Sequence, residues 1–350
     1  MNLNEKLVAL DKFINQALYD PKNGFYMKGN PFGNKGDFIT APNISILFSE
    51  MLSVWTISFW QKLKCPKKIN IIDLGSGNGQ MIYDMINSFK SFPKFYKSCQ
   101  FIIFEKSPYL KKIQKKKLQK FKVKWVSNLN EVQNGYNIFI ANEFFDALPI
   151  KQFFKINNKW IERFIKLDKK NNKSFVNVDC DIKKIEKKIG FKLSNNQKII
   201  EYSPLTLKYL KSISNKIYSK KGALLIIDYG YLESRMKDTL MAIRKHKISE
   251  VLEEFGNSDI TYKLNFELLK KITNILKLKC QGVTTQRNFL TNLGIQERAE
   301  ILSRNLPFSK KADIYYRLKR LIDKNQMGDL FKVMLITDKK INFKTGFEID

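Results

Sequence analysis

Three glycines alternate with small polar residues in Asp73-Leu-Gly75-Ser-Gly77-Asn-Gly79, directly after the apolar run Ile69-Asn-Ile-Ile. Glycine reaches backbone conformations closed to other residues and lets the main chain approach a ligand closely. A strand that runs into such a turn and then into a helix is therefore a candidate small-molecule cradle. Asp73 adds a carboxylate at its entrance. A second acid, Glu105, ends the apolar stretch Phe101–Phe104. In open α/β folds an acid at that place accepts hydrogen bonds from ribose hydroxyls. Alone, Glu105 reads better as a solvated strand end; beside the glycine turn the binding reading is the stronger. The run Ala141-Asn142-Glu143-Phe-Phe-Asp146-Ala-Leu-Pro149 follows a further apolar stretch and sets Asn142, Glu143 and Asp146 together. Two carboxylates there suit a cationic substrate nitrogen. For Asn142 alone, capping of the following turn is the plainer alternative.

These residues need a scaffold, and the hydrophobic periodicity outlines one. Strands are expected at 69–74, 101–104, 123–126 and 136–141, with helices at 80–89 and 108–121 between them. That alternation predicts an α/β fold with a doubly wound, mostly parallel sheet. Residues 4–19 have helical spacing (Leu7, Leu10, Ile14, Leu18), 20–43 read as loop, and 44–64 as helix. Short strands at 152–156, 160–165 and 174–178 suggest an antiparallel patch. The α/β pattern resumes with 198–202, a helix at 204–217 and the strand 223–228. Loop follows over 231–262, then helices at 265–277, 286–303 and 309–324, and 331–337 closes the sheet. As domains this gives an N-terminal helical segment, 1–66, and a main domain, 67–350, with insertions at 149–197 and 231–325.

Composition narrows the chemistry. The chain has 350 residues and a net charge of +30, yet only eight of its 63 basic residues are Arg. Lysines spread along the chain together with many Asn and Ile fit compositional drift better than a dedicated polycation surface. The run Lys111–Lys120 reads as the solvated face of an amphipathic helix. The cysteines Cys65, Cys99, Cys180 and Cys280 are scattered and His246 is the lone histidine. A Cys/His zinc cluster, a disulfide framework and most His-dependent nucleophilic chemistry are thereby disfavoured, no metal is expected, and a reducing, cytoplasmic compartment fits. No apolar run approaches bilayer length, and the N-terminus reads as neither a secretory signal nor a transit peptide.

The glycine spacing is not that of the dinucleotide fingerprint, whose third glycine would fall at Gln80. It resembles GxGxG, the loop that holds S-adenosylmethionine in class I methyltransferases, where an acid such as Asp73 typically precedes it. Over roughly residues 18–305 the chain resembles the MidA-like methyltransferases, which include a mitochondrial complex I assembly factor that methylates arginine. The carriers are GNKGDFITAP (33–42), DLGSGNG (73–79), EKSPYLKKIQ (105–114), ANEFFDALPIKQ (141–152), IEYSP (200–204), LLIIDYG (224–230), DTLMAIRKHK (238–247), SDIT (258–261) and TQRNFL (285–290). The resemblance implies that Gly75, Gly77, Gly79, Glu105 and Asn142 surround the methyl donor with Asp73. It also implies that the GDFITAP segment, with Gly36, Asp37 and Thr40, folds over the site. The chain departs from the pattern at Asn43, where the family usually has Glu, at Ser76 and Asn78, where it has Pro and Arg, at Tyr231 (His) and at Asn265 (Asp).

The expected activity is thus methyl transfer from S-adenosylmethionine to an arginine of a protein client, a respiratory complex I subunit being the client the resemblance implies, with Glu143 and Asp146 as catalytic residues. A homodimer is one assembly open to the chain; a nucleic-acid partner and a membrane span are not expected. An RNA methyltransferase is the rival favoured by the charge, but no NPPY-type motif follows the fourth strand and no cysteine lies in that loop. A non-catalytic assembly factor that binds the donor is the other.

Overall fold

The computed structural model describes residues 6–29, 31, 40–170 and 172–347. Its central sheet has the order Lys279–Thr285, Phe331–Thr337, Ala223–Tyr231, Tyr136–Asn142, Ile69–Leu74, Cys99–Phe104, Val123–Val126. The strands from Ala223–Tyr231 to Val123–Val126 are mutually parallel. Phe331–Thr337 runs antiparallel between Ala223–Tyr231 and Lys279–Thr285, and the two-residue strand Leu264–Asn265 pairs with the end of Ala223–Tyr231. The expected mostly parallel, doubly wound architecture is the one found. Ile69–Leu74 lies beside both Cys99–Phe104 and Tyr136–Asn142. The strand order reverses there, and in open α/β sheets such a switch point opens a crevice at the strands' carboxyl ends.

Alternate strand residues feed two cores, as the period of two dictates. Ile71, Ile103, Ile140 and Leu225 pack with the helices Ile46–Lys62 and Gln80–Phe89. Ile72, Ile102, Phe139 and Leu224 pack with Leu10–Tyr19, Pro204–Lys220 and Phe266–Ile275. Both faces being covered explains why Ile69–Leu74 is buried at every position, Asn70 and Asp73 included, rather than alternating.

The structure departs from the sequence reading in several places. The helix expected over 4–19 begins only at Leu10; Lys6–Ala9 is a strand, antiparallel to Phe164–Leu167. Strand Ile199–Tyr202 joins not the central sheet but a second one, antiparallel to Lys151–Phe154, with Lys159–Leu167 and Lys173–Asp179 beyond. Short apolar runs do not encode which sheet accepts them. The loop expected at 231–262 contains a three-stranded sheet of Met241–Arg244, Lys247–Ser249 and Asp259–Thr261. The single helix expected over 286–303 is two, Gln286–Asn292 and Ile295–Ser303, separated where Gly294 has φ 85°. Strand Lys279–Thr285 was masked in the sequence by its polar residues and by a bulge between Cys280 and Gly282. Among the described residues no helix is long and apolar enough to cross a membrane.

Candidate active site

The carboxyl ends of Ile69–Leu74, Cys99–Phe104 and Tyr136–Asn142 open on a cavity of about 430 Å³. Gly75, Gly77, Glu105, Glu143 and Asp146 line it, and Thr40 stands at its edge. A smaller adjoining recess is lined by Asp73, Gly75, Gly77, Asn142 and Glu143, again with Thr40. The structure thus gathers these sequence-predicted residues in one place. Gly79 sits at the start of helix Gln80–Phe89. Gly36 and Asp37 lie outside the described residues.

The glycine turn has the backbone that its sequence allows. Gly75, Gly77 and Gly79 have φ of 70°, 54° and 78°. A Cβ on Gly75 would stand 2.8 Å from the Phe144 ring. Gly75 N donates to Phe104 O at 2.9 Å, tying the turn to the next strand. Asp73 is buried and receives the Ser76 hydroxyl at 2.5 Å. Burial pushes its carboxyl up to about 7, against the Ser76 bond.

Glu105 is buried at the end of its strand. Its Oε1 accepts from Lys106 N and Ser107 N, both at 2.8 Å, and its Oε2 from Gln114 Nε2 at 3.0 Å. Burial raises its pKa, and these three donors counter the rise.

Glu143 directly follows its strand with φ 51°, a left-handed conformation rare for a residue with a side chain. Its amide donates to Ile227 O at 2.9 Å, and its carboxylate accepts from Asn142 Nδ2 at 3.1 Å and from the Ala41 amide. The surrounding protein, then the nearby Asp146 charge, pushes the Glu143 carboxyl from its ordinary 4.5 up to about 8. Asp146 Oδ2 accepts from the Thr261 hydroxyl at 3.1 Å, whereas Asp146 Oδ1 and Asn142 Oδ1 are buried without a protein partner.

Sequence reasoning missed part of this wall. Asp228 is fully buried and accepts from the amides of Phe145, Asp146 and Tyr229, so it pins the turn that carries Asp146. Burial, followed by the charges of Asp146 and Glu143, raises the Asp228 pKa well above the carboxylate range. Asp259 lines the cavity and accepts from the Tyr26 hydroxyl at 2.9 Å. Tyr19 stacks on Tyr26 with ring centroids 5.6 Å apart, and Tyr229 contacts Thr261 through its hydroxyl. The signal lies in the acids of LLIIDYG and SDIT, Asp228 and Asp259. His246 is exposed at the turn of a hairpin between Arg244 and Lys247, and does not line the cavity.

Residues 51–284 match the sequence model of a family described as "Putative S-adenosyl-L-methionine-dependent methyltransferase". The chain belongs to this family. It is also similar to the mitochondrial protein arginine methyltransferase NDUFAF7 of Xenopus laevis, with 29% identity over 93% of this chain and 80% of that protein. The human NDUFAF7 is 28% identical over 93% of this chain and 78% of its own length. Among solved structures, a COG1565 superfamily member from Burkholderia thailandensis bound to S-adenosyl-homocysteine superposes with a TM-score of 0.79 at 20% identity, covering 98% of this chain and 89% of that one. That likeness is one of fold. The family's methyl donor fits the site described above on three counts: a turn of three glycines at positive φ with Gly75 and Gly77 lining the cavity, a cavity of ligand size, and an unpartnered buried acceptor at Asn142 Oδ1.

Proposed function

We propose that this family member methylates an arginine side chain of a protein client. The observation that carries the reading is the cavity wall: Glu143, Asp146 and Asp259, with Tyr19, Tyr26 and Tyr229, line one chamber of a chain whose net charge is +30. Carboxylates gathered there against the overall charge favour a cationic, planar, multi-donor group, and guanidinium is the side chain of that kind.

Bound S-adenosylmethionine supplies an electrophilic methyl group on its sulfonium. The chain's residues do the rest. Gly75 and Gly77 let the backbone close on the donor, Glu105 accepts its ribose hydroxyls, and Asp73 and Asn142 shape the adjoining recess. Thr40 contributes to the cover, and the family resemblance implies the same role for Gly36 and Asp37. Glu143 and Asp146 hold the guanidinium in line, and Glu143 receives the proton that the substituted nitrogen gives up. A carboxyl raised to about 8 accepts a proton far more readily than an ordinary one. The tyrosines share the remaining wall with apolar residues such as Phe104, Leu148 and Met241, and a low-dielectric wall strengthens these electrostatic contacts.

A subunit of respiratory complex I is the client the family resemblance points to, and the names of the NDUFAF7 relatives support a protein substrate. A reducing compartment, the cytoplasm, agrees with four cysteines that are all free, although the curated relatives are named as mitochondrial. The test is transfer of labelled methyl from the donor into a cell lysate, with the labelled species identified by mass spectrometry. Label on a protein arginine supports the reading; label on RNA, or none, overturns it.

A further inference from the structure

Helix Pro108–Lys117 is crowded with lysines, yet it buries a glutamine. Gln114 has no exposed surface, and its amide is fully engaged. Nε2 donates to Gly77 O at 2.9 Å and to Glu105 Oε2 at 3.0 Å, while Oε1 accepts from Trp125 Nε1 at 3.0 Å. Three segments that follow one another only through the sheet meet on this side chain: the glycine turn, the end of Cys99–Phe104, and Val123–Val126.

The chemistry fixes which way the amide points. An indole nitrogen can only donate, so the end of Gln114 facing Trp125 must be the carbonyl oxygen. The nitrogen must then face Gly77 O and Glu105, both of which can only accept. No other residue type fits as well. A glutamate would set a third oxygen pair against the Glu105 carboxylate and the Gly77 carbonyl; leucine or methionine would leave the indole N–H and the Gly77 carbonyl unpartnered in a buried place.

Each bond bears on the donor side of the cavity. Lys106 N and Ser107 N hold Oε1 of Glu105, so Gln114 is what holds Oε2. The same nitrogen holds the carbonyl of Gly77, at the centre of the glycine turn. A Cβ on Gly79 would stand 3.4 Å from Gln114 Cγ, so the side chain also packs against the start of helix Gln80–Phe89. The acceptor side, built from Glu143, Asp146 and Asp259, stands on other elements: the turn after Tyr136–Asn142 and the strand Asp259–Thr261.

We propose that Gln114 is a positioning residue for the methyl donor: it holds Glu105 and the Gly77 carbonyl in the orientation that receives the donor's ribose, and so sets donor affinity rather than the acceptor step. This rests on the reading of Glu105 as the ribose acceptor. Trp125, which orients the amide, belongs to the same device one step further out.

The test is a two-way comparison by calorimetry. S-adenosylhomocysteine and its 2′,3′-dideoxy analogue are titrated into the wild-type chain, Gln114→Leu, Gln114→Glu and Trp125→Phe. Wild type is expected to lose about tenfold or more in affinity when the ribose hydroxyls are removed, the scale of a lost charge-assisted hydrogen bond. Gln114→Leu and Gln114→Glu are expected to bind the parent compound about tenfold more weakly and to discriminate against the dideoxy analogue by less than about threefold, because the two losses share one interaction. Trp125→Phe, at a half-buried position, is expected to fall between and serves if the Gln114 variants do not fold. A merely structural glutamine would weaken both compounds equally. Full discrimination retained in a folded Gln114 variant, or in Trp125→Phe where the Gln114 variants do not fold, overturns the inference and leaves Glu105 as the ribose acceptor. Absence of discrimination in wild type overturns the Glu105 reading, and the inference with it.

Discussion

Asn78 donates its side-chain N–H to the side-chain oxygen of Asn43 at 2.8 Å. Asn43 in turn donates to the Thr40 hydroxyl at 2.7 Å, and Asn78 Oδ1 accepts from Gln80 N at 3.1 Å. The glycine turn is thereby tied to the segment whose Ala41 amide reaches Glu143. The family resemblance implies Glu and Arg at these two positions; here two neutral amides make the contact.

That pairing predicts coupling. Asn43→Glu alone brings another carboxylate toward Asp73 and Glu143, and Asn78→Arg alone leaves a cation without its partner. Each single variant should weaken donor binding by about 1–2 kcal/mol, and the double variant should recover most of the loss. Calorimetry on the four proteins measures it. Strictly additive losses would show that the two sites do not communicate.

The donor cradle itself can be tested at Gly77, whose φ of 54° a β-branched residue rarely adopts. Gly77→Val should abolish donor binding. Glu105→Ala should weaken it by about 1–3 kcal/mol through lost charge-assisted bonds. Wild-type affinity in both variants would remove this turn from the donor site.

The lysine excess should prove incidental. Several lysines of the run after Pro108 are engaged within the protein: Lys111 with Ser127, Lys117 with Gln80, and Lys115 over the Trp125 ring. Single-stranded RNA should therefore bind weakly, with affinity falling steeply between about 50 and 200 mM salt, as for non-specific phosphate contacts. Fluorescence anisotropy measures this. Tight, sequence-selective binding at physiological salt would instead favour an RNA substrate.

The half of the cavity read as the donor side was legible because it is local. Asp73, Gly75, Gly77 and Gly79 sit within one strand–turn–helix, where residue type and spacing dictate the backbone, and Glu105 and Asn142 end neighbouring strands. The acceptor half was only partly legible because it is assembled over distance. Asp259 meets Tyr26 across more than two hundred residues, and Asp228 reaches Phe145 and Asp146 from a separate strand. SDIT marks Asp259 as a motif residue, but nothing in the composition of 20–43 marks Tyr26, and the fold alone brings the two together. Gln114 was hidden for another reason: on a helix of lysines it reads as one more polar surface residue, and only its depth shows otherwise.

Glu143 offers a test in which stability and activity move in opposite directions. Its carboxyl is raised from an ordinary 4.5 to about 8 by its protein surroundings and by Asp146. Between those values the folded chain holds a proton that the unfolded chain has released, so this group's contribution to stability is largest below about pH 4.5 and declines as pH rises through about 8. Glu143→Gln keeps the shape and cannot ionise. At pH above 8 the variant should melt at a higher temperature than wild type, and the gap should narrow toward acidic pH. If Glu143 also orients the guanidinium and takes its proton, wild-type turnover should rise with pH as the carboxylate forms near 8, while the variant should lose about 10²-fold or more and lose that rise. Donor affinity should persist, since Gly75, Gly77 and Glu105 are untouched. Melting curves, donor titration and methylation of an arginine peptide across pH 6–9 give all three readings on one preparation. A variant that is more stable at high pH yet turns over normally would keep Glu143 as a strained structural residue and remove it from the catalytic site.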